Sequence, residues 1–468
     1  MIELLAQGES FRESVDRTYY GATMIHPLAI VLTFAAGIAL IALPRRYALW
    51  PLLVVAVFIS TAQRVVIADI DLTLLRILTM FGFIRIVARG EITKLRFKSI
   101  DVAFCVWLFL GYVVFLVREP SEFVYRSGWV FDGLGMYFLF RCLVQKWSDV
   151  DRIVQAFIVL SVPIMVAFLI EQFTRRNMFA VFGGVPTMTM VRDGRVRCQG
   201  AFTHPIMAGT FWAAMLPLIG TWCFRNKTTL MQATIGVCCS LVIVATCASS
   251  GPVASVLIGA IGVAMFTFRH WMSYVRWMAA GGLVMLHLLM EAPVWHLVSR
   301  IDIVGGSTGY HRYKLIDESV RNFGDWWLMG VKAEVLQGWE TDMSDVTNQY
   351  VFEGINGGLW TLIAFIAMLW IGFMGIGRLW RMCANDTFRE KMSWALGASL
   401  FVHAITFLSV SYFGQINVVW FLTLAMIASL SPTRAQYMRY VRTKSRSRAS
   451  RRAHASTQDS QSGGLAPA

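Results

Sequence analysis

Apolar positions fall into long continuous runs separated by short polar breaks. The runs cover approximately residues 26–43, 47–61, 67–87, 99–117, 128–144, 152–173, 203–224, 230–248, 251–268, 276–293, 349–376, 392–410 and 414–431. Most are about 18 to 25 residues long, the helix length that crosses a hydrocarbon core of about 30 Å. A spanning barrel would show short alternating segments, and a helix pairs its own backbone groups in lipid. The pattern predicts an all-α fold: a polytopic transmembrane helix bundle of about 11–13 helices with one large, partly helical extramembrane loop. Residues 1–25 form a polar N-terminal segment, 26–431 the transmembrane domain with its loop at 294–348, and 432–468 a basic tail expected to be disordered.

Within the loop, residues 309–323 carry a helical period. Tyr313, Ile316, Val320 and Phe323 form one apolar stripe, and Lys314, Asp317 and Arg321 share another face. Gly324 is placed to end this helix. Ser344 or Asp345 is placed to cap the span that follows.

Composition agrees with a membrane setting. Hydrophobic residues make up 56% of the chain and charged residues 15%, with a mean hydropathy of +0.57. A soluble domain carries about a quarter charged residues. The net charge of +14 by itself suits nucleic acid, but its placement does not. Arg434, Arg439, Arg442, Lys444, Arg446, Arg448, Arg451 and Arg452 follow the last apolar run without an intervening acid. Such a tail reads as a cytoplasmic anchor near anionic lipid, so no nucleic-acid partner is expected. With the tail inside, the short basic loops around Arg45, Lys94–Lys98, Arg225, Arg269 and Arg378 fall on the same side. Segments 174–202 and 294–348 then lie outside. The eight cysteines follow no metal-binding or disulfide spacing, and neither a metal nor a cofactor is expected.

Arginines in the outer segments run against the positive-inside bias. They include Arg118, Arg126, Arg175, Arg176, Arg192, Arg195, Arg197, Arg300, Arg312 and Arg321. A guanidinium donates in a flat fork that matches phosphate. Ordinary ion pairing in long loops is the plainer reading. Chemistry-bearing residues are densest over 309–360, which holds His311, Arg312, Glu340, Asp342, Asp345, Asn348 and Glu353. A carboxylate or imidazole there suits proton removal from a sugar hydroxyl. The tryptophans of this loop read either as an interfacial belt or as stacking platforms. Asp132 and Arg141 lie inside one run, nine residues apart, so each needs a partner on another element.

Three stretches carry a resemblance: GAFTHPIMAGTFWAAMLPL at 200–218, SSGP at 249–252 and DVTNQYVFEGINGGLWT at 345–361. With the layout of spans and the one large loop before the last three, the chain resembles the O-antigen ligase/polymerase superfamily. Its ligase branch carries a His-[Ser/Asn]-x9-Gly-x2-[Gly/Thr] pattern. This chain reads Thr347-Asn348, nine residues, Gly358, two residues, Thr361, with a threonine where the histidine stands. The family's Ser-Arg-Gly turn reads Ser249-Ser250-Gly251.

The resemblance implies a multi-pass protein of the bacterial inner membrane, C-terminus cytoplasmic and large loop periplasmic. It implies a metal-independent glycan polymerase or ligase acting on an undecaprenyl-pyrophosphate-linked glycan in surface or exopolysaccharide assembly. Asp345 and His311 are then expected to handle the acceptor and Asn348 to position it. Arg312, Arg321 and Arg300 are expected to hold the pyrophosphate. The partners implied are the lipid bilayer, the lipid-linked glycan and other polysaccharide-assembly membrane proteins. Two rival classes stand beside this one. A lipid-linked glycan transporter or flippase would show broken helices and an internal repeat. A non-catalytic partner of an assembly complex would fit the altered motif.

Overall fold

The computed structural model describes residues 23–68, 70–300, 309–340 and 346–445. Each apolar run contains a helix. In chain order these are α1 (Pro27–Ala42), α2 (Leu49–Phe58), α3 (Leu74–Ala88), α4 (Ser99–Arg118) and α5 (Phe123–Leu143). Next come α6 (Trp147–Thr174), α7 (Pro205–Thr221), α8 (Lys227–Thr246), α9 (Ser250–Ala264) and α10 (Met272–Leu289). The loop contributes α11 (Gly309–Arg321), and α12 (Gln349–Met382), α13 (Thr387–Thr406) and α14 (Ile416–Leu430) close the bundle. Two short antiparallel hairpins, Arg64–Ile67 with Ile70–Thr73 and Val191–Arg192 with Arg195–Val196, are the only sheet among the described residues. The fold is an all-α polytopic bundle.

Among the described residues, six helices are long and apolar enough to cross a membrane: α4, α6, α8, α12, α7 extended to Phe224 and α9 extended to Phe268. This makes the chain a multi-pass membrane protein, although fewer helices pass this test than there are apolar runs. The remainder are short or charged. At 1.5 Å per residue, 16-residue α1 spans about 24 Å and 10-residue α2 about 15 Å. Most of α2 is buried, so its apolar run serves the protein core rather than lipid. The run expected at 67–87 also divides. Its first residues form a hairpin, and α3 begins only at Leu74, where Thr73 Oγ1 accepts the Arg76 amide at 3.2 Å.

Helix α7 is the most enclosed, with Phe211, Trp212, Ala213 and Met215 fully buried among α6, α8, α9, α13 and α14. A second, smaller core of Leu315, Trp326, Val331 and Ile355 fastens the loop onto the first turns of α12.

One end of the bundle, built from the short basic connections, is closed by ion pairs. Arg141 meets Asp101 at 2.6 Å, and Asp101 also accepts from Tyr137. Asp151 receives Arg225 at 3.0 Å and Arg389 at 2.7 Å. Arg85 meets Glu91 at 2.9 Å, and Arg269 meets Glu390 at 3.1 Å. The opposite end carries the long segments.

Three expectations need correction. First, α11 forms where the periodicity places it, but it buries a different face. Arg312, Leu315, Glu318 and Ser319 turn inward, while Val320 and Phe323 are exposed. Tertiary contacts decide this: Leu315 joins the second core, and Trp326 Nε1 donates to the Ser319 carbonyl at 2.7 Å. Second, Gly324 does not stop the chain's helicity but lies inside a further turn, Phe323–Trp326. Third, the expected disordered tail begins with a helix, α15 (Arg434–Ser445), bent 46° from α14. Thr433 and Gln436 hold its start reciprocally, each side chain accepting the other's backbone amide.

Candidate functional site

The long-segment end is tied together by side chains reaching between connections. Thr61 Oγ1 donates to Gln415 Oε1 at 3.1 Å, and Gln415 Nε2 donates to the Ala201 carbonyl at 2.6 Å. These bonds bring the end of α2 and the starts of α7 and α14 to one place. Beside them lies a cavity of about 160 Å³. Thr61, Arg64, Asp71, Arg76, Tyr125, Trp129, Asp132, Phe413 and Asn417 contribute to its wall.

Two ion pairs line this cavity. Arg64 meets Asp71 at 2.6 Å. Arg76 forks onto Asp132, with Nε to Oδ1 at 2.8 Å and Nη2 to Oδ2 at 2.6 Å. Arg76 also donates to the Asp71 carbonyl, which joins the pairs into one network. Asp132 lies nine residues into α5, about 14 Å along it. Its side chain keeps 35% exposure, against 11% for Arg76. The carboxylate is therefore the accessible partner. Gly128 lets Arg76 pass, because a Cβ there would lie 2.9 Å from both terminal guanidinium nitrogens.

Aromatic side chains link this cavity to the motif region. Trp129 packs edge-on against Trp107, with ring centres 5.9 Å apart. Trp107 Nε1 donates to the buried Glu353 carboxylate at 2.9 Å. Gln349 Nε2 donates to the other Glu353 oxygen at 2.6 Å, while Gln349 Oε1 accepts the Tyr412 amide at 2.8 Å. Phe413, the next residue, lines the cavity.

The motif residues themselves are mostly architectural. Asn348 caps α12: Oδ1 accepts from Tyr350 and Val351, and Nδ2 donates to the Leu408 carbonyl at 3.0 Å. It is buried and so fully used that it positions the helix rather than an acceptor. Thr347 is half-buried, and its Oγ1 makes no hydrogen bond among the described residues. Gly358 has φ 73° and ψ 179° inside α12 and breaks the helix there. The Leu359 amide released by the break donates to the Trp327 carbonyl at 2.7 Å. Arg118 adds bonds to the Met329, Ile355 and Asn356 carbonyls. Thr361 Oγ1 returns to the Gly357 carbonyl at 2.7 Å. The Gly-x2-Thr spacing thus provides a docking break for the loop.

Of the expected site residues, His311 and Arg312 are neighbours on α11, half-buried and buried respectively. Arg321 is on the same helix but points outward, 62% exposed and paired with Asp317 at 2.9 Å. Arg300 ends the turn Val294–Arg300, and its side chain lies outside the described residues, as does Asp345.

Arg64, Arg76, Asp71, Tyr125 and Trp129 were not among the sequence expectations. The available signal was Asp132 in one apolar run and Arg76 in another, opposite charges that each required a partner. Asp132 and Arg141 do take partners on other helices.

A second buried polar group lies near the start of α7. Glu171 accepts from the Gln199 and Gly200 amides and from Thr189. His204 caps α7 by accepting the Ile206 amide at 3.1 Å. Burial, then the charges of Arg197 and Arg192, push His204 down to about 3, so it stays neutral near pH 7.

No family model, curated protein or solved structure matches the chain.

Proposed function

We propose that this chain is a membrane glycan polymerase or ligase resembling the O-antigen ligase/polymerase superfamily. It uses an undecaprenyl-pyrophosphate-linked donor at the outer face of a bacterial inner membrane. The observation that carries the reading is the cavity at the long-segment end, where Arg64, Arg76, Asp71 and Asp132 meet beside Tyr125 and Trp129. A lipid diphosphate requires guanidinium forks, its sugar suits aromatic walls, and the acceptor hydroxyl needs a carboxylate. The basic residues concentrated at the other end support an outward orientation for this one.

On this reading, the donor's pyrophosphate draws Arg76 from Asp132 and engages Arg64. The acceptor oxygen bonds to the anomeric carbon as the bond to pyrophosphate breaks. The pyrophosphate leaves with the electron pair, and Asp132 takes the hydroxyl proton. Arg312 and His311, on the loop helix docked against α12, contact the glycan portion. Asp345 remains a candidate for acceptor handling. Exopolysaccharide polymerisation fits the Thr347 substitution better than ligation, because the family histidine is replaced.

Transport has one observation in its favour, the break at Gly358 in a membrane-spanning helix. The amide freed at Leu359 is bonded to the loop rather than facing a pathway, which favours the enzyme.

The test is complementation in a host deleted for the gene, at matched membrane levels. Arg76→Ala, Asp132→Asn and Arg312→Ala should leave short lipid-linked units, while Arg321→Ala should restore full-length polysaccharide. Full-length product from both Arg76→Ala and Asp132→Asn would reject this cavity as the site. Unchanged polysaccharide after the deletion itself would reject the function.

A further inference from the structure

A separate pocket of about 310 Å³ lies at the opposite end, between the starts of α4 and α15 and the last third of α12. Its wall carries three cations, Lys98, Arg378 and Arg434, and no carboxylate. Ser431 also lines it, is 6% exposed, and its Oγ makes no hydrogen bond among the described residues. Arg378 Nε is likewise buried without a hydrogen-bond acceptor there. Two buried donors facing a cationic pocket form an incomplete set: they lack an anion with several acceptor oxygens.

The 12-residue α15 starts at the pocket, with Pro432 and Thr433 in its wall, so the partial positive charge of the helix N-terminus accumulates there. Lys98 Nζ donates to the Ser429 and Ser431 carbonyls at 2.8 and 2.6 Å, which fixes the turn that presents Ser431. Burial first, then Arg141 and Arg378 against the opposing pull of Asp101, hold the Lys98 ammonium down to about 8. Gly375 allows the close approach of α12, since a Cβ there would sit 2.8 Å from Ser431 Oγ.

The rest of the wall is apolar: Phe97, Ile100, Val102, Ile371 and Ile427. Phe97 and Val102 are 63% and 53% exposed and lead from the cations along the start of α4, a membrane-spanning helix. A free inorganic anion has no use for this strip, whereas an acyl chain does.

We infer that this pocket binds an anionic phospholipid, its phosphate held by Arg378, Arg434, Ser431 and the start of α15, and its chain laid along Phe97 and Val102. The site is independent of the proposed catalytic cavity and stands or falls without it.

The test uses full-length purified protein in detergent, titrated with phosphatidylglycerol, phosphatidylcholine or inorganic phosphate, reading thermal stability and lipid retention by native mass spectrometry. Phosphatidylglycerol should stabilise the wild type and be retained, with apparent affinity falling about ten-fold in Arg378→Gln and less in Ser431→Ala. Arg442→Gln, on the same terminal helix beyond the pocket, should bind as the wild type does. Equal stabilisation by phosphatidylcholine would overturn the proposal. So would inorganic phosphate reproducing the shift with the same variant dependence, which would mark a free-anion site. Equal loss in Arg442→Gln and Arg378→Gln would also overturn it, because it would assign the effect to diffuse attraction of the basic tail. If Arg378→Gln does not purify folded, Ser431→Ala and Arg434→Gln carry the comparison.

Discussion

Replacing Gly358 with alanine should release the loop from α12 without disturbing the rest of the bundle. Gly358 occupies φ 73°, ψ 179°, a region that costs a residue with a Cβ about 1–3 kcal/mol. The added Cβ would also lie 2.5 Å from the Leu328 carbonyl oxygen and 2.9 Å from its carbon, both backbone atoms that cannot rotate away. The strand of loop at 327–330 must therefore withdraw. That removes the bond from Leu359 to Trp327, worth about 1 kcal/mol. Together these give about 2–4 kcal/mol in favour of the undocked loop. At about 1.4 kcal/mol per factor of ten, amide exchange through loop opening should accelerate about 30- to 1000-fold. Hydrogen–deuterium exchange of detergent-solubilised protein, followed on peptides covering 326–336 and 352–362, measures this. Gly377→Ala on the same helix is the control, because no atom lies within 4 Å of its added Cβ. That variant should leave loop exchange unchanged. Wild-type exchange in Gly358→Ala, or equal acceleration in both variants, would refute the assignment of Gly358 as the docking break.

Asp101→Asn should destabilise the closed end by about 3–5 kcal/mol, because it leaves buried Arg141 without its countercharge; thermal denaturation in detergent reads the loss. Arg76→Leu and Asp132→Leu should each cost about 2 kcal/mol or more, with the double variant costing less than their sum, as a double-mutant cycle on thermal stability will report. His204, depressed to about 3 in the fold, binds fewer protons there than in the unfolded chain, whose imidazole titrates near 6.5. Its contribution is thus complete above about 6.5 and is lost progressively as pH falls from there toward 3. His204→Asn, which retains a capping oxygen, should flatten the fall in melting temperature between about pH 6.5 and 4.5, and an unchanged slope would exclude His204 as its source.

The membrane-spanning character was legible because run length and continuity are properties of the sequence alone. The number of full spans was not, because a run such as that of α2 looks the same whether lipid or protein surrounds it. The loop helix was readable from its period, yet its inward face was not. Glu318 and Arg312 are buried because Leu315 and Ser319 must reach Trp326 and Ile355, partners up to about 40 residues away in the chain. The start of α15 shows the same limit: its basic composition suggested disorder, but the Thr433–Gln436 cap is a local signal that charge counting passes over. At the candidate cavity, Asp132 could be singled out as a costly intramembrane charge, while Arg64 looked like an ordinary residue at a run boundary and Arg76, inside a run, was passed over. The hairpin at 64–73, whose second strand hydropathy hides inside an apolar run, brings Arg64 and Asp71 to the same cavity wall as Asp132.

Asp151 carries a consequence for how the chain is made. Its first partner, Arg225, follows 74 residues later, but the two-pronged contact with Arg389 waits for 238 residues. At about 5–20 residues per second of synthesis, that interval is about 12 to 48 seconds. Lys98 waits longer still for the carbonyls of Ser429 and Ser431, 331 and 333 residues on. The first two-thirds of the bundle is therefore inserted with Asp151 held by Arg225 alone and Lys98 still without its carbonyl partners, and the last helices to leave the ribosome act as its clasp. A ribosome that stops before Arg389 leaves behind an unlatched intermediate, in which Asp151 lacks its two-pronged partner and the early helices lack their clasp.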